Sequence, residues 1–325
     1  MTATVSGPAT TLRPAIHAQG LRKSYGTQVV LDGIDLDVPE GTVYALLGPN
    51  GAGKTTTVHI LSTLIAADGG QVEVAGHDVG RDPDGVRAAI GVTGQFSALD
   101  KFLTGEENLV LMADLRHLGK VEGRRRATEL LDRFDLVDGA RKPVSTWSGG
   151  MQRRLDLAMT LVGDPRIIFL DEPTAGLDPR SRRTMWQVIR DLVDGGATIF
   201  LTTQYLEEAD RLADRIAVLD HGRLVAEGTP SELKRRVSGG HVRLEFADGA
   251  ELERATVAFP GAARDDESLV LLVPSDGGVG SLRTVLDKLD DMAIEVEGLS
   301  VRTPDLDDVF LSLTGHPDTE KGAAS

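Results

Sequence analysis

The sequence predicts an α/β fold with helices packed on a sheet, followed by a smaller α+β domain. From Ala15 to about Arg236, short apolar strands alternate with helical stretches, which is typical of an α/β layer fold. One buried strand in this region runs into a glycine-rich turn and then into a helix. After Ser238-Gly239-Gly240, which we interpret as a linker, the apolar pattern restarts and indicates a second core.

Apolar periodicity predicts the elements of the first domain, residues 15–236. The buried strand is Val43–Leu47, and the helix after it is expected to run from residue 54 to residue 65. Strand patterns are lacking between Thr104 and Leu161, so we interpret residues from about 97 to 162 as a helical insert. The other expected elements are strands at 71–74, 91–93, 167–170, 198–202, 215–219 and 224–226, helices at 106–118 and 124–134, and a hairpin turn at His221-Gly222.

The second domain, residues 241–315, has a periodicity of its own. Val242, Leu244 and Phe246 alternate as on a half-buried strand, and another strand is expected at 269–273. The remaining expected elements are a helix through Leu282, Val285, Leu286 and Leu289, one or two strands around Ile294, Val296 and Val301, and a last helix through Leu306, Val309, Phe310 and Leu313, begun by Pro304-Asp305 and ended by Gly315. The domain shows no catalytic constellation and is interpreted as an accessory domain. Residues 1–14 and 316–325 are expected to be disordered tails.

Composition restricts the possible functions. The chain has 325 residues, of which 41% are hydrophobic, enough for two domains with sizeable cores. Cysteine is absent, which excludes disulfides, a cysteine nucleophile and thiolate metal sites. No apolar run approaches the length that spans a bilayer, so we expect that the chain does not cross a membrane by itself.

The net charge of −15 is unevenly distributed. Residues 237–325 carry seven Lys or Arg against eighteen Asp or Glu, a net charge of −11. Nucleic acids and anionic lipids are themselves negative, so an acidic segment of this kind binds them poorly. We therefore expect no nucleic-acid partner, and a solubilising acidic surface accounts for most of the charge.

The strongest motif is Gly48-Pro49-Asn50-Gly51-Ala52-Gly53-Lys54-Thr55-Thr56, which lies between a strand and a helix. Its glycines let successive backbone N–H groups point inward at phosphate oxygens, and the helix directs its positive end at the same anion. Lys54 adds a mobile charge for the β- and γ-phosphates, and Thr55 offers a hydroxyl to Mg²⁺. A chance glycine-rich turn would lack this strand–helix context.

Two carboxylates, Asp171 and Glu172, end an apolar strand downstream of this loop. Asp171 can hold Mg²⁺, and Glu172 can act as the general base that polarises the attacking water. A strand that ends in Asp-Glu is commonplace by itself. Its position after a phosphate loop favours the catalytic interpretation.

A second anion-binding device is predicted at Ser148-Gly149-Gly150, before a helix that reaches Leu161. A serine hydroxyl and two glycine N–H groups at a helix N-terminus suit an anion. Taken alone, this turn would be a helix cap.

The order of these motifs resembles that of the ABC ATPases over residues 15–236. The resemblance implies a head-to-tail homodimer in which the phosphate loop of one chain and the Ser-Gly-Gly signature of the other hold each ATP. It also assigns three weaker signals: Tyr25 stacks on adenine, Gln95 contacts Mg²⁺ and senses the membrane partner, and Asp178 lies in the loop between the two ATP sites. The implied cofactors are ATP and Mg²⁺.

Two motifs depart from the commonest family pattern, at three positions. The signature has Trp147 and Met151 at its ends, and Gln204 replaces the usual switch histidine. Glutamine can still donate a hydrogen bond to the γ-phosphate but cannot carry a charge. We therefore assign Gln204 a catalytic role beside Glu172 and Lys54, with capping of the helix that follows as the alternative.

These departures narrow the match. The segments Val92-Thr93-Gly94-Gln95, 149–156, 203–208 and 306–315 together resemble the daunorubicin/doxorubicin-resistance ATP-binding subunits. The resemblance implies ATP-driven export of a hydrophobic drug or antibiotic-like compound through a separate permease of about six transmembrane helices. It places the chain at the cytoplasmic face of the membrane, bound through that permease. It also implies that the C-terminal domain with its terminal segment takes part in assembling the complex, with a core-packing helix as the alternative for that segment. Export of a lipid or polysaccharide is one alternative, and a soluble ABC ATPase acting in DNA repair or on ribosomes is another.

Overall fold

The computed structural model describes residues 14–94, 98–236, 240–302 and 304–314. The chain divides into two compact units, Met1–Glu227 and Gly228–Ser325. Among the described helices, none is both long and apolar enough to cross a bilayer.

The first unit combines ten strands with seven helices within its described residues. In chain order these are β1 (Ile16–Tyr25), β2 (Gln28–Val38), β3 (Val43–Leu47), α1 (Lys54–Leu61), β4 (Gly69–Val74), β5 (His77–Asp78), α2 (Pro83–Ala89), β6 (Ile90–Thr93), α3 (Gly105–Leu115), α4 (Lys120–Arg133), α5 (Gly149–Thr160), β7 (Ile167–Asp171), α6 (Pro179–Asp194), β8 (Thr198–Thr203), α7 (Leu206–Leu212), β9 (Arg215–Asp220) and β10 (Arg223–Gly228), whose last residue lies at the boundary between the units. Short 3₁₀ turns occupy Val137–Gly139, Val144–Thr146 and Leu161–Gly163.

Six strands form the central sheet, in the order β10-β9-β3-β8-β7-β6. The pairs β3/β8, β3/β9, β7/β8 and β6/β7 are parallel. All five residues of β3 and of β7 are buried, because a parallel strand between helical layers is covered on both faces. The carboxyl ends of β3, β7 and β8 therefore meet at one edge of the sheet.

A second, antiparallel sheet with the order β2-β1-β4-β5 shares its core with the first. Ile16 and Leu36 of this sheet belong to the same buried cluster as Tyr44 and Phe169 of the central sheet. The stretch from residue 98 to residue 166 contains helices α3 to α5 and no strand, which confirms the predicted helical insert. Thr104 begins α3 with a capping box that includes Glu107.

The second unit forms a four-stranded antiparallel sheet covered by helices, which agrees with the expected α+β class. Its described elements are α8 (Pro230–Arg235), β11 (His241–Glu245), α9 (Gly249–Ala258), β12 (Ala263–Asp265), β13 (Val270–Pro274), α10 (Val279–Asp291), β14 (Gly298–Arg302) and α11 (Leu306–Thr314). The strand order is β12-β13-β11-β14. Helix α8, which the sequence assigned to the first domain, contacts α11 and lies in the second unit.

Several predicted bounds differ from the structure. Helix α1 ends at Leu61 instead of residue 65, because the hydroxyl of Ser62 turns back to the Val58 carbonyl and Thr63 adopts a φ of +64°. No strand forms at Ile294 or Val296, and α9 was not predicted. Both turn residues between β9 and β10, His221 and Gly222, have positive φ, as the predicted hairpin requires. The predicted tails, except Pro14, and most of the linker lie outside the described residues.

Candidate nucleotide site

The phosphate loop connects β3 to α1 at the carboxyl edge of the central sheet. Gly51 and Gly53 adopt φ values of +82° and +112°, which side chains disfavour. A Cβ atom at Gly48 would overlap the Leu219 carbonyl oxygen, and one at Gly53 would lie 2.7 Å from the Leu31 side chain. The glycines are therefore required both by the turn and by close approach of the neighbouring strands.

Lys54 is buried at the start of α1, with 5% of its surface exposed. Its Nζ donates hydrogen bonds to the carbonyl oxygens of Gly48 at 2.8 Å and Pro49 at 3.1 Å. The same Nζ lies 3.6 Å from Glu172 Oε1. Burial lowers the pKa of Lys54, and the nearby carboxylates of Glu172 and Asp171 oppose that shift. The loop thus holds a cation beside the predicted general base.

The rest of the loop remains accessible at its tip. Asn50 and Gly51 are exposed, and Thr55 and Thr56 are partly exposed. Thr57, by contrast, is buried and donates to the Gly53 carbonyl at 3.0 Å.

Asp171 and Glu172 follow one another at the end of β7. Asp171 is 2% exposed and accepts a hydrogen bond from the Thr202 hydroxyl. Glu172 adopts a φ of +48°, and its N–H donates to the Thr202 carbonyl at 3.1 Å. Asp171 and Thr202 are register partners in the parallel pair β7/β8.

Thr202 was missed by sequence reasoning. The available signal was a buried threonine at the polar end of an apolar strand, in line with the Asp-Glu pair. Recognising it requires the strand register, because 31 positions separate Thr202 from Asp171.

The residues present fit a hard divalent cation. The carboxylate of Asp171 and the hydroxyl of Thr55 are oxygen donors of the kind that Mg²⁺ prefers, and Mg²⁺ usually keeps waters and phosphate oxygens as its other ligands. The described part of the chain contains no cluster of three or more His, Asp or Glu side chains that could hold a metal ion. Gln95, the third predicted ligand, lies outside the described residues.

The signature turn begins α5. Ser148 is exposed and caps the helix by accepting from the Met151 N–H at 3.3 Å. Gly149 is exposed and faces open space, whereas a Cβ at Gly150 would lie 2.7 Å from the hydroxyl oxygen of Ser181. The turn therefore presents Ser148 and Gly149 outward and packs Gly150 inward.

Asp178 begins α6 and uses its carboxylate as a helix cap. The carboxylate accepts from the N–H groups of Arg180 and Ser181 at 3.0 Å each and from the Ser181 hydroxyl at 2.6 Å. Hydrogen bonds from Ser181 are the main cause that lowers the pKa of Asp178. Ser181 thus joins the Asp178 loop to Gly150 of the signature within one chain.

The two unusual signature residues fill the helical insert. Trp147 is buried, and a Cβ at Gly105 would overlap its ring. A Cβ at Gly139 would lie 2.8 Å from the Met151 methyl group. Both departures from the common pattern are therefore packing features on the inner side of the turn, away from exposed Ser148.

Gln204 follows β8 directly. Helix α7 begins after Tyr205, which makes no side-chain cap, and the Tyr205 N–H donates to the Thr203 hydroxyl at 2.9 Å. The side chain of Gln204 is partly exposed and makes no hydrogen bond within the described residues. The structure therefore contradicts the alternative that Gln204 caps α7.

Tyr25 ends β1 with 52% of its surface exposed. The Lys23 ammonium lies 5.6 Å from the centre of its ring. Tyr25 lies in the same antiparallel sheet as Leu31 of β2. The Leu31 side chain approaches the phosphate loop so closely that a Cβ at Gly53 would lie 2.7 Å from it. An exposed aromatic ring on this sheet suits the predicted stacking contact.

Comparison with known proteins gives one consistent result. Residues 31–175 match the family described as ABC transporter. The chain is 51% identical over 307 residues to the daunorubicin resistance ATP-binding protein DrrA2 of Streptomyces coeruleorubidus, covering 93% of this chain and 95% of that protein. It is 49% identical over 308 residues to the daunorubicin/doxorubicin resistance ATP-binding protein DrrA of Streptomyces peucetius, covering 93% of each.

A solved structure agrees with these relatives. The fold resembles the dimeric structure of a post-hydrolysis state of an ATP-binding cassette bound to ADP and Pi, with a TM-score of 0.60 and 27% identity. The match covers 66% of this chain and 98% of that chain.

Proposed function

This chain belongs to the ABC transporter family as an ATP-binding, ATP-hydrolysing subunit, and we propose that its ATP hydrolysis drives a drug or antibiotic-like compound out of the cell through a separate membrane permease. The observation that carries the proposal is the meeting of the phosphate loop with Glu172, whose carboxylate lies 3.6 Å from Lys54 Nζ. The family assignment agrees with the resemblance that the sequence motifs predict.

The chemistry assigned to the site is positioning and charge stabilisation. The N–H groups of residues 48–56 and the positive end of α1 bind the phosphates, and Lys54 neutralises charge that develops on them. Glu172 accepts the proton of the attacking water, and Gln204 orients the water and the γ-phosphate through its amide. Thr55 and Asp171 would hold Mg²⁺, which would supply Lewis-acid polarisation of the phosphate oxygens.

We further propose that two copies of the chain act as a head-to-tail dimer. The exposed Ser148-Gly149 turn at the start of α5 offers a hydroxyl and an N–H group to an anion on another molecule. That anion is the ATP on the partner's phosphate loop. A solved cassette of similar fold is dimeric and bound to ADP and Pi, which supports a dimer.

The drug as cargo is supported by the two relatives, both named for resistance to daunorubicin and each matched over 93% of this chain. The permease is proposed to have about six transmembrane helices and to hold the chain at the cytoplasmic face. Cargo contacts are assigned to the permease.

Transport in everted membrane vesicles tests the proposal. The chain is expressed with a candidate permease of about six transmembrane helices, and accumulation of doxorubicin is followed by fluorescence with and without ATP. We expect ATP-dependent accumulation that the Glu172→Gln chain does not support. ATP hydrolysis without accumulation of any anthracycline would contradict the drug assignment and favour export of a lipid or polysaccharide.

A further inference from the structure

Arg153 connects the signature helix to the catalytic strand end. It lies on α5, one turn after Gly149, and its side chain is only 14% exposed. Its guanidinium donates to five oxygen atoms: Pro173 O at 3.0 Å, Gly94 O at 3.1 Å, Asp171 O at 3.1 Å, Glu172 O at 3.2 Å and Asp156 Oδ2 at 3.2 Å. Three of these are consecutive carbonyls at the end of β7.

Asp156 completes the arrangement one turn further along α5. Its carboxylate is 5% exposed, pairs with Arg153, and accepts from the Ala98 N–H at 3.2 Å. A buried ion pair is a poor source of stability, because removal of both charges from water opposes their attraction. A pair of this kind is better explained by the geometry that it imposes on its neighbours.

That geometry concerns the main chain of Glu172. A φ of +48° is unfavourable for a residue with a side chain, so the surrounding contacts must hold it. Thr202 accepts the Glu172 N–H, and Arg153 donates to the Glu172 carbonyl. The peptide groups on both sides of the residue are thereby held.

We propose that Arg153 is a positioning residue for ATP hydrolysis, which holds the main chain of Glu172 so that its carboxylate stays directed at the reacting phosphate. The proposal rests on the proposed role of Glu172 as general base. Arg153 lies on the helix that begins at the signature turn, and that turn is assigned to the ATP of the partner subunit. Arg153 therefore also links the signature turn to the general base that acts on this chain's own ATP.

Arg154 is a matched control. It is the next residue of α5, its side chain is 17% exposed, and it donates to Phe134 O at 2.8 Å and to the Asp135 carbonyl and carboxylate at 3.3 Å. Its contacts lie within the helical insert. Arg154→Met therefore removes the same charge and volume from the same helix without touching the end of β7.

The experiment is a double-mutant cycle on the full-length chain, with kcat, KM for ATP and the melting temperature measured for each variant. We expect Arg153→Met to lower kcat about 10–100-fold at nearly unchanged KM, because misplacement of a catalytic group lowers the rate more than the affinity. Arg153→Lys should recover part of kcat, and Arg154→Met should retain it. In a Glu172→Gln chain, Arg153→Met should cause little further loss.

The outcomes separate the two proposals. An Arg153→Met chain with kcat within twofold of the wild type, or an equal further loss in the Glu172→Gln background, would overturn the positioning role. If Glu172→Gln itself retained kcat, the base assignment would be wrong and the Arg153 proposal would fall with it. If Arg153→Met does not fold, comparison of Arg153→Lys with Arg154→Lys in the same two backgrounds decides the question.

Discussion

At the scale of single residues, three side chains of the site differ in how the structure holds them. Lys54 is buried and bonded to two loop carbonyls. The main chain of Glu172 adopts a left-handed conformation, with a φ of +48°. Gln204 is partly exposed at the end of β8. We therefore expect substitution of Lys54 to lower the affinity for ATP. Substitution of Glu172 or Gln204 should instead lower the rate of ATP hydrolysis.

Lys54→Ala should weaken ATP binding about 10–100-fold, since a hydrogen bond to a charged group contributes about 1.5–3 kcal/mol. Isothermal titration calorimetry with Mg-ATP measures the change, and a thermal melt checks the fold. Lys120→Ala, at an exposed position on α4, is the control and should bind normally. Unchanged affinity in a folded Lys54→Ala chain would remove Lys54 from the phosphate site.

Glu172→Gln should bind Mg-ATP and lose about 10²–10⁴ in kcat, the usual contribution of a general base. The ATP-bound chain should then accumulate as a dimer, which size-exclusion chromatography detects. Glu73→Gln, exposed on β4, should behave as the wild type. A Glu172→Gln chain that turns over within a few-fold of the wild type would place the base elsewhere.

Gln204→Ala should slow hydrolysis with little change in ATP affinity, because the amide orients groups that are already bound. Gln204→His should keep substantial activity and add a pH dependence near a pKa of roughly 6.5, the ordinary value for histidine. Steady-state ATPase kinetics across pH measure both effects. Normal turnover with early melting in Gln204→Ala would assign this residue a structural role instead.

At the scale of elements, α6 and α7 are joined by a buried carboxyl group. Glu208 of α7 is fully buried, and its Oε1 accepts from the Trp186 Nε1–H of α6 at 3.2 Å. Its Oε2 has no hydrogen-bond partner within the described residues. Burial raises the pKa of Glu208, while the polar side chains of Thr203, Thr174 and Trp186 and the charge of Arg182 act to lower it. Helix α7 begins two residues after Gln204, so this contact anchors the helix beside Gln204.

Glu208→Gln should change how stability depends on pH. The folded pKa of Glu208 lies above its ordinary value of 4.5, so its protonated form stabilises the fold below pH 4.5. That contribution is lost as pH rises through the folded pKa, because a buried charge then forms. Glutamine does not ionise. The melting temperature of Glu208→Gln relative to the wild type should therefore increase with pH. A difference that stays constant from pH 4.5 to pH 8 would contradict this prediction.

At the scale of the whole molecule, the chain consists of two units with separate cores. The predicted site residues that the structure describes lie in the first unit. Leu233 of α8 is fully buried, and α8 contacts α11 of the second unit. Truncation after Arg236 would strip α8 of this packing, so Gly228 is the better end point.

A chain ending at Gly228 should fold and bind ATP but associate weakly with the permease, since the second unit is the proposed assembly domain. ATP titration measures the first property, and capture of the tagged permease measures the second. The full-length chain is the reference in both assays. Capture by the truncated chain at full strength would exclude an assembly role for the second unit.

The sequence alone determined the local parts of this protein. The phosphate loop, the strand ending in Asp171 and the helical insert are encoded by glycine positions and apolar periodicity within short segments, and these signals do not depend on distant residues. The structure places these elements where the sequence predicts them. The family follows from the order of the same motifs.

The tertiary structure alone decided which distant residues support the site. Thr202 reaches Asp171 through strand register, Arg153 of α5 reaches the carbonyls at the end of β7, and Gly150 packs on Ser181. Periodicity specifies which face of an element is buried but not which partner it meets. These contacts became visible only when the sheet brought the carboxyl ends of its strands together.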